Sequence, residues 1–363
     1  MKQEPNGRPL QTLDTPALCL DIERLEGNIA RMAAFCREHP ADLRPHCKTH
    51  KCPTIAWMQI RARAIGVTCA KLSEAEVMAQ AGIEDILIAN QIVGRYKIER
   101  LVALARTSHL TVAVDDADNA RALSQAAQRA GAQLSALVEV DIGMKRCGVA
   151  PGDEAVRLAQ EVDALPGLRF AGLQGYEGHA VMLPDPKARQ QAAEEAIGQL
   201  AATRDAIEAS GLAVGILSGG GTGTYAITGA HPAMNELQAG SYATMDGRYA
   251  SLGLPFSCAL TAEAQVISVP RPGRAIIDAG LKTMTSEFGL PTVLSPEGWR
   301  VAHLSEEHAT LQREGGEALA LGERVSLLPS HGCTTINLHD VYHVMRGGRL
   351  EALWPIAARG CVR

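Results

Sequence analysis

Residues 110–140 read LTVAVDDADNARALSQAAQRAGAQLSALVEV, and this stretch decides the fold class. The stretch contains two apolar, β-branched runs, Leu110–Asp115 and Leu134–Val140. A longer helix-like segment lies between them, and turns that contain Asp and Gly separate it from the two runs. A strand, a helix and a second strand in this order predict a parallel pair, because the second strand must return in the same direction.

The same alternation extends from residue 17 to about residue 245. The apolar runs that carry it are Ala17–Ile22, Leu43–Cys47, Gly66–Ala70, Asp85–Ala89, Leu110–Asp115, Leu134–Val140, Leu168–Gly172, Val214–Ser218 and Leu237–Thr244. From Leu43 onward they give eight strands, the number that closes a (β/α)8 TIM barrel. An open doubly wound sheet is disfavoured, because its GxGxxG fingerprint is missing after the first strand.

The last third of the chain has a different pattern. From Cys258 onward, short β-like runs follow one another with Pro and Gly between them and no helix-like segment: Leu260–Val269, Arg274–Ala279, Arg324–Leu328, Val341–Met345 and Leu350–Pro355. These runs predict a C-terminal antiparallel β domain, with which the strand Ala17–Ile22 could pair. We therefore expect a barrel over residues 23–250 and a β domain made of residues 1–22 plus 251–363.

The composition limits the class of protein. The chain has 363 residues, of which 46% are apolar and 21% charged, with a net charge of -5. Its mean hydropathy of -0.02 is globular, and no basic block indicates a nucleic-acid partner. No run of apolar residues is long enough to span a membrane, and the polar segment Met1–Leu10 argues against a signal peptide. Nine scattered cysteines fit reduced thiols, so we expect a cytoplasmic enzyme.

A lysine follows the first barrel strand, at the end where barrels place their chemistry. Lys48 lies in a segment that also holds Arg44, His46 and Lys51. Neighbouring positive charge and desolvation would lower the pKa of its amine, and a neutral amine is what a Schiff base needs. A solvated loop in a basic patch explains the same residues equally well.

A glycine-rich turn follows the seventh strand. Residues Gly219–Gly223 are bracketed by Ser218 and Thr224 and contain Thr222. Backbone N–H groups and hydroxyls in a late barrel loop are typical of a phosphate site, although a tight turn would look the same. An aldehyde-reactive lysine together with a phosphate cradle indicates pyridoxal phosphate.

Two further strand ends carry side chains that fit this cofactor. Tyr176 could contact the ring or the substrate, and Arg146 could face the pyridine nitrogen, which would keep that nitrogen unprotonated. Taken alone, Tyr176 is more readily explained as a core residue and Arg146 as a residue of a solvated loop.

The β domain contains His331 and Cys333, two residues apart. In a strand this spacing puts both side chains on one face, where they could share a metal ion. Two ligands are a weak signal, and on spacing alone an ordinary strand is the commoner explanation.

Taken together, the segments resemble the D-threonine aldolase and D-serine dehydratase family, fold type III pyridoxal-phosphate enzymes of the alanine racemase architecture. The resemblance runs from LDTP (13–16) to WPIAARG (354–360). Its carriers between these ends are RPHCKTHKCP (44–53), EVD (139–141), RCG (146–148), GGGTG (219–223), ELQAGSY (236–242), DAGLK (278–282) and PSH (329–331).

The resemblance implies a role for each candidate residue. Lys48 forms the Schiff base, Arg146 sits against the pyridine nitrogen and Tyr176 lies beside the cofactor. The residues that hold the phosphate are Gly221, Thr222, Gly223 and Tyr242. The resemblance also implies that His331 and Cys333 bind a divalent metal, which holds the 3-hydroxyl of a D-amino acid, and that the protein is a homodimer.

Two positions depart from the aldolase pattern. Many family aldolases have Asp where this chain has Cys333, and they use magnesium or manganese; histidine with thiolate is the pattern of the dehydratase branch and favours zinc. The aldolase's histidine base falls at Met182, whereas this chain has His179 nearby. His179 could act from a shifted position, or the proton transfer could differ.

The expected activity is retro-aldol cleavage of a D-3-hydroxy amino acid to glycine and an aldehyde, with His179 or a metal-bound water as base. The alternative is a zinc-dependent dehydratase that releases a 2-oxo acid and ammonia after Lys48 removes the Cα proton. A racemase is disfavoured because it needs no metal beside the hydroxyl. A non-enzymatic binder of pyridoxal phosphate is disfavoured because such relatives are shorter and lack the β domain.

Overall fold

The computed structural model describes residues 7–363. A 3-10 turn at Leu10–Thr12 precedes the first strand. The strands are β1 (Ala17–Asp21), β2 (Asp42–Leu43), β3 (Val67–Cys69), β4 (Asp85–Gln91), β5 (His109–Val114), β6 (Leu134–Glu139), β7 (Leu168–Gly175), β8 (Ile216–Gly219), β9 (Glu236–Leu237), β10 (Leu260–Arg271), β11 (Arg274–Ile277), β12 (Thr292–Ser295), β13 (Trp299–Leu304), β14 (Ala309–Arg313), β15 (Arg324–Leu328), β16 (Val341–Arg346) and β17 (Arg349–Pro355).

The helices alternate with the strands as far as β9 and are sparse after it. They are α1 (Ile22–Glu38), α2 (Pro53–Arg61), α3 (Leu72–Gln80), α4 (Arg95–Leu104), α5 (Ala117–Ala130), α6 (Asp153–Ala164), α7 (Gly178–Val181), α8 (Pro186–Ala209), α9 (Tyr225–Thr228), α10 (Gly247–Ala250) and α11 (Gly332–Ile336). Among residues 7–363, no helix is both long and apolar enough to cross a membrane.

The stretch 110–140 forms the predicted strand–helix–strand unit. The side chain of Asp116 caps α5 by accepting a hydrogen bond from the backbone N–H of Asn119 at 2.8 Å. The helix ends at Gly131, whose left-handed φ of +61° favours glycine. Strands β5 and β6 then pair in parallel, as expected.

Eight parallel strands form a closed barrel. Their order is β2-β9-β8-β7-β6-β5-β4-β3, and β2 pairs directly with β9. The chain beyond β2 bridges β3 through His46 and Thr68, which completes the ring. The barrel prediction is therefore confirmed, although β2 and β9 contain only two residues each, fewer than the sequence predicts.

A second, mainly antiparallel sheet follows the order β13-β14-β11-β10-β1-β16-β17, and β15 joins β10 to β12. Strand β1 pairs antiparallel with β10 and parallel with β16, as we expected of the run Ala17–Ile22. The core of this sheet is apolar and includes Val266, Ile277, Trp299, Leu311 and Leu327. Strands β12 to β14 are not among the predicted runs.

The chain divides into two units, each defined by contacts within itself. The barrel unit comprises Met32–Lys48, Ile55–Gly240 and Cys361–Arg363. The β unit comprises the described residues up to Arg31, together with Thr49–Thr54 and Ser241–Gly360. Residues 1–6 of the predicted β domain lie outside the described part of the chain.

Candidate active site

The lysine segment follows β2 in the barrel unit. The backbone N–H of Cys47 donates to the carbonyl of Thr68 at 2.7 Å, which places Lys48 one residue beyond the closed edge of the barrel. The side chain of Lys48 is half-buried. This is the end of the strand at which (β/α)8 barrels hold their reactive groups.

Arg44, four residues before this lysine, is buried and paired. Its guanidinium lies 2.8 Å from Glu236 and 2.6 Å from Asp85, and these carboxylates raise the pKa of Arg44 against the lowering effect of burial. Two acids therefore compensate the charge of Arg44 inside the barrel.

Arg146 and Tyr176 come together at the ends of neighbouring strands. The guanidinium carbon of Arg146 lies 5.6 Å from the centre of the Tyr176 ring, within the range of a cation–π contact. Asp141 shapes the intervening loop by accepting hydrogen bonds from the backbone N–H groups of Gly143 and Lys145. The exposed Arg146 and half-buried Tyr176 can therefore both reach a ligand held above the strand ends.

The buried carboxyl of Glu139 lies near the same arginine. Burial raises the pKa of Glu139, while a hydrogen bond from Gln91 and the positive charge of Arg146 lower it in part. The electrostatic effect of Arg146 shows that its charge acts on the interior of the barrel as well as on solvent.

The glycine-rich turn between β8 and α9 is tightly packed. Gly220 has a left-handed φ of +84°, and a Cβ atom added at Gly223 would sit 1.9 Å from the carbonyl oxygen of Val181. A Cβ atom at Gly221 would lie 3.4 Å from the Tyr176 ring. The turn needs its glycines for these close approaches, and it brings the phosphate candidates Gly221, Thr222 and Gly223 beside Tyr176.

His179 lies in the short helix α7, directly after this tyrosine. The ring is exposed. A Cβ atom added at Gly143 would lie 2.8 Å from its Cε1 atom, so the ring packs against the loop that leads to Arg146. His179 is thus brought to the same group of loops as Arg146 and Tyr176.

Tyr242 belongs to the β unit and is completely buried. Its ring centre lies 5.6 Å from that of Phe256. Its role as a phosphate ligand remains a prediction.

The candidate metal residues lie at the start of α11. In a strand the two side chains would share a face, but they do not lie in one: β15 ends at Leu328, as the run Arg324–Leu328 predicts, and His331 is the N-terminal cap of a helix. The buried carboxylate of Asp246 accounts for the difference, because it accepts hydrogen bonds from the His331 ring at 3.0 Å and from the N–H of Gly332 at 2.8 Å.

The two side chains nevertheless meet. Burial would lower the pKa of His331, but hydrogen bonds and electrostatic attraction from Asp246 and Cys333 raise it to about 10. The thiol of Cys333 also contacts the hydroxyl of Thr49 at 3.5 Å and that of Ser241 at 3.9 Å. The imidazole and the sulfur are therefore held side by side, with the polar side chains of Asp246, Thr49 and Ser241 around them.

This arrangement of His331 and Cys333 fits two ligands of one metal ion. A carboxylate on Nδ1 fixes the ring so that Nε2 can face a metal, which is the usual support of metal-binding histidines. Within residues 7–363, no group of three or more His, Cys, Asp and Glu side chains could hold an ion. A metal ion at His331 and Cys333 would have two ligands from these residues, one fewer than the three protein ligands of catalytic zinc sites.

Two acids beside the candidate cofactor and metal residues are not identified as functional by the sequence. Asp246 and Glu177 act through contacts with residues distant in the chain, and no local spacing marks them. A buried acid beside each predicted site is visible only in the folded protein.

Comparison with known proteins covers nearly the whole chain. Residues 20–247 match the family model described as "Alanine racemase, N-terminal domain", and residues 259–345 match a "Putative serine dehydratase domain". A D-threonine aldolase of Arthrobacter sp is 42% identical over 362 residues, which is 98% of this chain and 96% of that protein.

Two further relatives define the range of the similarity. The crystal structure of a D-threonine aldolase from Filomicrobium marinum matches with a TM-score of 0.97 and 43% identity over 100% of both chains. A D-threo-3-hydroxyaspartate dehydratase of Delftia sp. (strain HT23) is 30% identical over 98% of this chain and 97% of its own. Of these relatives, the two aldolases are closer in sequence than the dehydratase.

Proposed function

Because the chain belongs to the D-threonine aldolase family of alanine racemase-like, fold type III enzymes, we propose that it cleaves D-3-hydroxy amino acids into glycine and an aldehyde. The observation that carries this proposal is the 42% identity to an aldolase over 98% of the chain. Enzymes of this fold type use pyridoxal phosphate, and the proposed activity is that of a lyase.

The barrel unit supplies the residues that we assign to the cofactor. Lys48 would bind it through its amine. Arg146 would face the pyridine nitrogen and keep that nitrogen unprotonated, because a guanidinium donates hydrogen bonds and accepts none. Tyr176, whose ring lies under the guanidinium of Arg146, would lie beside the cofactor. Pyridoxal phosphate, when bound, provides an electron sink for the pair that stays at Cα when the Cα–Cβ bond breaks.

The phosphate is assigned to the glycine-rich turn, through Gly221, Thr222 and Gly223, and to Tyr242. The turn fits this role because its glycines leave no side chain between the backbone and a ligand. The buried Thr222 adds a hydroxyl to the backbone donors.

The 3-hydroxyl of the substrate is assigned to His331 and Cys333. A divalent ion held there, when bound, lowers the pKa of that hydroxyl. His179 would accept the hydroxyl proton as the Cα–Cβ bond breaks and the oxygen becomes the carbonyl of the leaving aldehyde. That proton, or one from water in its place, would then be delivered to Cα to complete glycine. A soft sulfur ligand favours zinc over manganese or magnesium at this pair.

Cys333 supports a second candidate function, the dehydratase. There Lys48 would remove the Cα proton and the 3-hydroxyl would leave as water. Hydrolysis of the imine form of the resulting enamine by a second water molecule would then give a 2-oxo acid and ammonia. The lower identity to the dehydratase makes this the weaker proposal.

Product analysis separates the two functions. The purified protein is incubated with pyridoxal phosphate, a divalent metal and D-threonine. Acetaldehyde with glycine supports the aldolase, whereas 2-oxobutyrate with ammonia would replace it by the dehydratase. The homodimer and the cytoplasmic location remain predictions from the resemblance and from cysteine usage.

A further inference from the structure

Glu177 is a buried acid that the proposed mechanism does not use. It lies between Tyr176 and helix α7, and only 1% of its surface is exposed. Its Oε1 atom accepts hydrogen bonds from the hydroxyls of Thr224 at 2.6 Å and Thr228 at 2.5 Å. Its Oε2 atom accepts a hydrogen bond from the backbone N–H of Gly220 at 3.2 Å.

These three partners bracket the glycine-rich turn. Gly220 lies at its start, Thr224 at its end and Thr228 in the helix that follows. The hydroxyl of Thr224 also accepts a hydrogen bond from the N–H of Gly221 at 3.2 Å. One carboxylate thus fixes both ends of the turn, and the amides of Gly220 and Gly221 are directed toward Glu177 and Thr224.

This arrangement has a consequence for the phosphate. With the amides of Gly220 and Gly221 engaged inside the turn, the backbone donors for the phosphate are those of Thr222 and Gly223, while Gly221 serves by having no side chain. A carboxylate suits the anchoring role because both of its oxygens only accept hydrogen bonds, and ionised acceptors bind about twice as strongly as neutral ones.

We propose that Glu177 is the positioning residue of the phosphate turn and that it sets cofactor affinity through the phosphate end alone. The inference rests on the proposed function, since it requires that pyridoxal phosphate binds here. It makes Glu177 a residue that acts through Gly220 and Thr224 without touching the cofactor.

The test compares two ligands that differ only in the phosphate. Apoprotein is titrated with pyridoxal phosphate and, separately, with pyridoxal, and binding is followed by the absorbance of the bound aldehyde. In Glu177→Gln, a side-chain amide replaces one of the two acceptor oxygens, so one anchor of the turn is weakened. We expect about tenfold weaker binding of pyridoxal phosphate, with less than about a twofold change for pyridoxal.

Glu263→Gln is the matched control. Glu263 is also a buried acid that accepts hydrogen bonds from two hydroxyls, those of Thr261 and Ser326, both at 2.8 Å, but it lies in the β unit. We expect this substitution to leave the affinity for both ligands unchanged.

A second variant tests the same anchor more gently. Thr228→Val removes one hydroxyl donor from Glu177 and should weaken pyridoxal phosphate binding by about threefold, again without affecting pyridoxal. This variant decides the question if Glu177→Gln does not fold. Equal weakening of both ligands, or no weakening of either, would overturn the positioning role. If the unaltered protein binds neither pyridoxal phosphate nor pyridoxal, the proposed function itself fails.

Discussion

Arg44 and Glu236 form a buried ion pair at the seam where the first and last strands of the barrel meet. The Nε atom of Arg44 lies 2.8 Å from Oε2 of Glu236, and their side chains are 7% and 3% exposed. Ser218 donates a hydrogen bond to the other oxygen of Glu236 at 2.6 Å. Asp85, which also contacts Arg44, is 46% exposed. The two acids therefore occupy very different environments around the same cation.

This difference predicts that neutralising Glu236 and neutralising Asp85 lower the free energy of unfolding by different amounts. Glu236→Gln should lower the free energy of unfolding by about 3 kcal/mol, at the low end for breaking a buried pair because Asp85 still compensates Arg44. Asp85→Asn, the control, should cost less than about 1 kcal/mol because water screens the exposed partner. Urea unfolding measures both, and equal losses would contradict this account of the seam.

Lys48 is expected to be indispensable for holding the cofactor. Lys48→Ala should abolish the absorbance of bound pyridoxal phosphate and reduce cleavage of D-threonine by at least about a thousandfold, since no other group replaces its amine. Lys97→Ala changes an exposed lysine of α4 and serves as the control. Retention of the bound spectrum in Lys48→Ala would assign the cofactor to another residue.

Cys333 is expected to determine which metal is preferred. Cys333→Asp replaces a soft sulfur ligand by a hard oxygen, so the ratio of zinc to manganese affinity should fall by at least about tenfold. Metal titration of the two proteins measures this ratio. Cys361→Ser, which alters a thiol in the barrel unit, should not change it. An unchanged ratio in Cys333→Asp would remove Cys333 from the metal site.

His339 should make the fold sensitive to acid. Burial lowers its pKa, and His343 and Arg359 lower it further, while a hydrogen bond to the carbonyl of Thr283 and the charge of Asp340 oppose them. The unfolded chain then binds a proton more readily than the folded one, so stability falls as the pH drops below about 6.5 toward the lowered pKa.

His339→Gln keeps an N–H donor for Thr283 and removes the titration. Its Tm should therefore decrease less than that of the unaltered protein between about pH 7.5 and about pH 5. Thermal unfolding at the two pH values measures the difference. Parallel losses of Tm would show that other groups cause the acid sensitivity.

The barrel could be predicted because each of its strands is a short apolar run followed by a helix. The run Leu134–Val140 and the observed β6 differ by a single residue. Strand β12 could not be found in this way, because Thr292–Ser295 is largely exposed and lacks an apolar pattern. The length of β2 also escaped prediction, since it depends on pairing with β9.

The candidate site was predictable where chemistry is carried by residue type and less so where it depends on tertiary contacts. Arg146 and Tyr176 follow two strand ends in the sequence, and the structure brings them together. The environment of His331 was not predictable, because Asp246 turns the expected strand into the start of a helix. The spacing of His331 and Cys333 does bring their side chains together, but it does so at the start of a helix and not through strand alternation.

The position of β1 has a consequence for synthesis of the chain. Leu18 pairs with Ala262 and Leu20 with Val344, so β1 finds its neighbours only after the whole barrel sequence has been synthesised. Until then its apolar face has no sheet to join, while the whole barrel sequence emerges. Pairings between such distant residues slow folding and leave strand edges open to association with other chains. The nascent polypeptide is therefore expected to depend on protection of β1 until β10 and β16 emerge.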